Sequence, residues 1–231
     1  MADIAKKRPQ EVIDYFGKRI ALYFKRDYGR DYEDIPYDLH RLNEALATSA
    51  GALVATTRSW FSKEPDLFSY HGGKLIEVVF PSFSPDLQQA LSAYVGTGEA
   101  QDTRFVIEVM RAYSGEVFLQ PLARDIVASL SEDDELLDFV QIALEPSGVT
   151  SGEFGRVNRL VAHRDSILSW SDDTRESVRA FATRYAHQLE NSIRTTRQRA
   201  EESVALRRLE WDRPSQSDDA ASDPSDGTPA T

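Results

Sequence analysis

Residues 84–113, SPDLQQALSAYVGTGEAQDTRFVIEVMRAY, decide the fold of this chain. Leu87, Ala90, Leu91, Tyr94 and Val95 recur at intervals of three and four, and so do Phe105, Val106, Val109, Met110 and Tyr113. That spacing places each set on one face of an α-helix. Between the sets stands Gly96-Thr97-Gly98, and glycine accepts the positive φ that a tight reversal needs. The stretch predicts two amphipathic helices folded back on each other. Ser84-Pro85 opens the first of them, a capping hydroxyl ahead of a proline at the first helical position.

The pattern continues on both sides. Towards the N-terminus, Pro9 starts a helix striped with Val12, Ile13, Phe16, Ile20, Ala21 and Phe24. Residues 25–36 read as a polar loop. A second helix runs from Tyr37 through Leu39, Leu42, Ala45, Leu46 and Ala50, with Gly51 expected to break it. Leu53, Val54, Trp60 and Phe61 predict that helix resumes before Pro65. Leu67 to Phe80 is another helical segment, weakened by Gly72-Gly73 and stopped by Pro81.

Towards the C-terminus, Ser114-Gly115 turns the chain into a helix marked by Leu119, Leu122, Ala123, Ile126, Val127 and Leu130. Ser131 is expected to cap the next, with Glu132, Asp133, Asp134 and Glu135 near the positive end of its dipole. That helix carries Leu136, Leu137, Val140 and Ala143 and ends near Pro146. A glycine-rich loop, 145–155, follows, with Phe154 expected to anchor it; Val157, Leu160, Val161, Ile167 and Leu168 come next. Ser171-Asp172-Asp173 then caps a last helix from about Thr174 to Trp211. Val178, Phe181, Tyr185, Leu189 and Ile193 bury one face of it. From Arg194 to Ser203 only Ala200 is apolar. This part is expected to project into solvent or against something outside the chain, with Val204, Leu206, Leu209 and Trp211 restoring hydrophobic contact.

Units beginning near 67, 99 and 132 are spaced by about 32 residues, inside the range of helical repeats. The expected fold is therefore all-α: a HEAT-like α-solenoid of stacked hairpins with a long C-terminal helix. Residues 1–211 form the helical-repeat domain. Residues 212–231 hold five Asp, one Arg and no bulky apolar side chain, the composition of a disordered acidic tail.

Composition narrows the function. The chain carries a net charge of −11, of which the tail supplies −4. Such a surface disfavours nucleic acid and anionic lipid as partners. No apolar run reaches the roughly 20 residues of a membrane span, and MADIAKKRPQEV lacks the apolar core of a secretory signal. Cysteine is absent, which excludes disulfides and thiolate metal sites and fits a cytoplasmic protein.

Candidate chemistry is sparse. His40, His71, His163 and His187 fall on separate segments without HExxH, HxH or HxxE spacing; catalysis or metal binding would need them to converge. Gly96-Thr97-Gly98-Glu99 lacks the Lys-Ser/Thr of a phosphate loop. Glu132 to Glu135 lacks the alternating ligands and central glycine of a calcium loop. Asp31, Glu33 and Asp34 with Tyr28 and Tyr32 read as a solvated connection, and Glu153 as a loop acid without an assigned ligand. No catalytic, cofactor-binding or metal-ligating residue is assigned, and no cofactor is expected. The interaction candidates are Arg194, Arg197, Arg199, Arg207, Arg208 and Trp211. Glu201, Glu202 and Glu210 interleave with the arginines, so the helix is expected to pair with itself, and Glu190–Arg194 is a favourably oriented i,i+4 pair worth a few tenths of a kcal/mol.

A resemblance extends over residues 4–211. The segments RPQEVIDYFGKRI, YEDIPYDLH, GGKLIEVVFP, FVIEVMRAYSGEVF, SGEFGRVNRL and VRAFATRYAHQLENSIRTTRQRAEESVALRR are similar to the C-terminal helical part of large bacterial proteins whose helices stack in HEAT-like fashion. In such proteins the array follows a nucleotide-dependent signalling or defence module. The resemblance implies a non-catalytic scaffold with a protein partner, and a chain that is a fragment, a split subunit or a shortened reading frame. Its alternatives are a regulatory or sensor segment acting in trans on a P-loop ATPase, and a helical nucleic-acid-binding module. Neither the partner's identity nor the oligomeric state follows from the sequence.

Overall fold

A helix with one apolar face must cover that face with a neighbour. The computed structural model, which describes residues 2–24, 42–65, 68–113, 115–147 and 150–211, shows how this is done. Among the described residues the regular structure is helical throughout and no strand occurs. In chain order the helices are α1 (Ala2–Lys7), α2 (Pro9–Phe24), α3 (Leu42–Leu46), α4 (Ala50–Lys63), α5 (Gly73–Val79), α6 (Pro85–Val95), α7 (Ala100–Arg111), α8 (Gln120–Ser129), α9 (Leu136–Leu144), α10 (Gly155–Leu168) and α11 (Glu176–Trp211). None of them is long and apolar enough to cross a membrane.

The helices sort into two rows. α1, α3, α5, α7 and α9 pack each against the next, and so do α2, α4, α6, α8 and α11. The chain crosses between the rows at each connection until α9. There α10 intervenes, and α11 rather than α10 takes the place beside α8; α10 packs along α11. One continuous apolar core runs between the rows, from Ile13 and Phe16 through Leu53, Phe68, Phe105 and Ile126 to Trp170 and Phe181. At its middle the rings of Phe61, Phe68 and Phe105 lie 5.2–5.8 Å apart, with Tyr94 5.7 Å from Phe105.

The hairpin at 84–113 is present as read. Ser84 Oγ accepts from the Leu87 amide at 3.2 Å with Pro85 at the first helical position. Gly98 takes φ 72° in the turn. Arg58 on α4 reaches across to Asp102 at 2.6 Å, largely shielded from water, and fixes the start of α7 to the other row. Tyr113 closes the end of the hairpin by donating its hydroxyl to the Phe80 carbonyl at 2.8 Å, and burial raises its pKa far above the ordinary tyrosine value.

Several expectations are corrected. Gly51 does not break a helix: α4 begins at Ala50 and runs through it, and the interruption is the 3₁₀ turn Ala47–Ser49 just before. Gly72-Gly73 does more than weaken its segment. Phe68–Gly72 makes one π-helical turn, and a Cβ on Gly73 would stand 3.1 Å from the Ala112 Cβ, so the glycine lets α5 approach the end of α7. Ser131 does not cap α9. The Asp134 carboxylate accepts from the Leu136 amide at 2.9 Å and does so instead, because Ser131 lies in a preceding turn. The loop 25–36, residues 37–41 with His40, Leu67 and the tail 212–231 lie outside the described residues.

Candidate functional site

α11 is 36 residues long, about 54 Å at 1.5 Å per residue. Its start is fixed by charge. Asp173 accepts from the Arg175 amide at 3.0 Å, and its two oxygens take the Arg175 guanidinium at 2.8 Å each. Those bonds hold the Asp173 carboxyl well below the usual carboxylate range. Arg175 also reaches Asp125 on α8 at 2.8 Å, tying the new helix to its row neighbour. Alongside, Trp170 is buried, stacks near Phe181 and donates its indole N–H to Gln120 at 3.3 Å.

The first half of α11 is seated as its spacing requires. Val178, Phe181, Ala182, Tyr185, Ala186, Leu189 and Ile193 are buried. Against them α10 presents a buried histidine: His163 Nε2 lies 3.0 Å from the Tyr185 hydroxyl, which donates to the Gln141 carbonyl at 3.2 Å. With the tyrosine proton so committed, His163 is the donor of the first bond, a neutral Nε2–H imidazole. Desolvation depresses its pKa to about 4. His71 is half-buried and His187 exposed, and among the described residues no three His, Asp or Glu side chains are placed to hold a metal.

Beyond Ile193 the packing thins. Among the described side chains, Ala200 is the last buried one in α11. Leu206, Leu209 and Trp211 are 62%, 68% and 85% exposed, with Val204 less so. The contact expected for these four is not made among the described residues. Phe154, expected to anchor its loop, is likewise exposed. Its neighbour Glu153 makes the connection: the carboxylate pairs with Arg207. A backbone hydrogen bond at Glu153 and then the Arg207 guanidinium hold its pKa below the ordinary value.

The six interaction candidates do not form one patch. Arg194 and Arg197 line a cleft of about 360 Å³ with Arg164, Glu190 and Glu201. Arg199 lies on the opposite flank, in a cleft of about 710 Å³ between α10 and α11 that it shares with Arg156 and Arg159. Arg207 is engaged by Glu153; Arg208 and Trp211 stand exposed at the tip. The expected self-pairing is replaced by polar bonds, Arg194 to Asn191 at 2.8 Å and Gln198 to Glu202 at 3.0 Å. The sequence singled out neither Arg156 nor Arg159, because their place beside Arg199 depends on how α10 packs along α11. In comparisons with known proteins, no family model, curated protein or solved structure matches the chain.

Proposed function

We propose that this protein is a non-catalytic helical scaffold, a HEAT-like solenoid, that recognises another protein through the distal end of α11. The exposure of Leu206, Leu209 and Trp211 carries the reading. Covering a large apolar side chain is worth about 1.5–3 kcal/mol, and these three are left in water at the end of a helix whose first half is well seated. Trp and Arg dominate binding energy at protein interfaces, and Trp211 stands beside Arg207 and Arg208. The two rows fit the same role: stacked hairpins bury an inner face and offer outer ones, so contact area grows without chemistry. On this reading the protein works as a subunit or fragment inside a larger cytoplasmic assembly, as the resemblance of its helical segments to bacterial signalling and defence proteins implies.

Site-specific photocrosslinking tests this. A photoreactive residue at Leu206 or Leu209 is expected to capture one discrete protein in cells of origin, and one at Ala180, exposed on the seated half, is not. With that protein purified, Leu206→Ala combined with Trp211→Ala should weaken binding by about a hundredfold, as expected for two anchor residues. Equal capture at 180 and 206, or unchanged affinity of the double variant, would sink the reading.

A further inference from the structure

The second cleft has a chemistry of its own, independent of the exposed tip. Its walls are the first turns of α10, with Arg156 and Arg159, and the middle of α11, with Ser192, Thr195, Thr196 and Arg199. The α11 positions follow the spacing i, i+3, i+4, i+7, so all four share one face. Short hydroxyl side chains occupy that face where bulkier ones would narrow the gap. One carboxylate, Glu145, stands at the rim against the three arginines. The cleft is thus net positive in a chain whose net charge is −11.

Many arginines elsewhere in this protein are engaged, some by neutral oxygens: Arg179, Arg184 and Arg194 donate to the Asp173 and Thr174 carbonyls, the Glu132 carbonyl and the Asn191 side-chain oxygen. Arg58 pairs with Asp102, Arg111 with Glu108, Arg175 with Asp125 and Asp173, and Arg207 with Glu153. Among the described residues no ion pair engages Arg156 or Arg199. Two guanidinium groups from two helices therefore border one concavity without an ion pair to a described acid, with the hydroxyls of Ser192 and Thr196 on the same walls. No aromatic ring lines it, so the walls offer no aromatic platform for a planar base.

We propose that this cleft binds a small anion bearing more than one phosphate group. A guanidinium offers paired N–H donors that match phosphate oxygens, and a ligand with two linked phosphates can take Arg156 and Arg199 together. The hydroxyls of Ser192 and Thr196 add neutral donors along the same wall, while that of Thr195 donates to the Asn191 carbonyl at 3.1 Å. A volume of about 710 Å³ is within the range of small-ligand sites, which favours a compact anion over a polymer. Bound between α10 and α11, the anion would bridge the two helices and stiffen the segment that leads to the tip.

Isothermal titration of the full chain with inorganic pyrophosphate at low salt reads this directly. Saturable one-site binding is expected, weakened at least about tenfold by Arg156→Ala combined with Arg199→Ala, the loss of one or two charge-assisted contacts. Arg194→Ala combined with Arg197→Ala removes the same charge from the opposite flank and should change affinity less than about twofold. Citrate, a carboxylate of comparable charge, should bind more weakly than pyrophosphate. Helical content by circular dichroism confirms that both variants are folded. Absence of saturable binding, equal losses in the two double variants, or tighter binding of citrate would each overturn the assignment. None of these results bears on the tip, because Leu206 and Trp211 are not in the cleft.

Discussion

At position 163 a histidine sits three residues after Leu160 and four before Ile167, on the stripe of α10 that faces the core. Read as an ordinary surface or half-buried histidine, it is in fact buried. Its partner was not legible either, since the bond to Tyr185 depends on how two helices slide past each other, which no local pattern records. The histidine's burial has a consequence in pH. An unfolded histidine titrates near 6.5, and the folded one near 4. Between those values the unfolded chain binds the additional proton, so stability is complete above about pH 6.5 and falls as pH drops towards 4. The loss is about 3 kcal/mol across that window. Denaturant midpoints measured from pH 7 to 4 should show the fall, and His163→Phe should flatten it. Asp173, with a lowered folded pKa, is lost only at more acid pH, below the ordinary carboxylate value.

For single elements, periodicity identified the inward face of each helix and little about its ends. Gly51 and Ser131 were misread because a helix boundary depends on which groups receive the terminal amides and on what packs outside. The same limit explains Val204, Leu206, Leu209 and Trp211: apolar residues near a helix end look like contact whether or not another helix arrives to meet them. The arginines of α11 were legible as a concentration, but their division between two flanks requires knowing where α10 lies. A prediction belongs to this scale. Amides of 178–193 are backed by buried side chains, and those of 201–211 are not. Hydrogen exchange should therefore be at least about a hundredfold faster in 201–211 than in 178–193, graded through Ala200. Uniform protection along α11 would mean that the tip is covered in the isolated protein.

For the whole molecule, the apolar stripes anticipated an all-helical chain, and its described helices pack in two rows. The exchange of α10 and α11 at the end could not be anticipated, because both helices carry a stripe that would suit either place. The continuity of the core makes its middle decisive. Phe105 is fully buried between Phe61, Phe68 and Tyr94, where α4, α6 and α7 meet. Phe105→Ala should cost about 3–5 kcal/mol. Urea unfolding followed by circular dichroism and by the emission of Trp60 and Trp170 should shift together; separate transitions would show that the rows do not melt as a unit.

The overhang of α11 also has a mechanical meaning. From Ala200 to Trp211 the helix extends about 16 Å past the last buried of its described side chains. A bend of about 20° at Ala200 would carry Trp211 sideways by 5–6 Å, roughly the pitch of one helical turn. Glu153, gripping Arg207 from a loop held by α10, is the stay on that arm. Whatever loosens or tightens one ion pair at its side is read out, enlarged, at the far end.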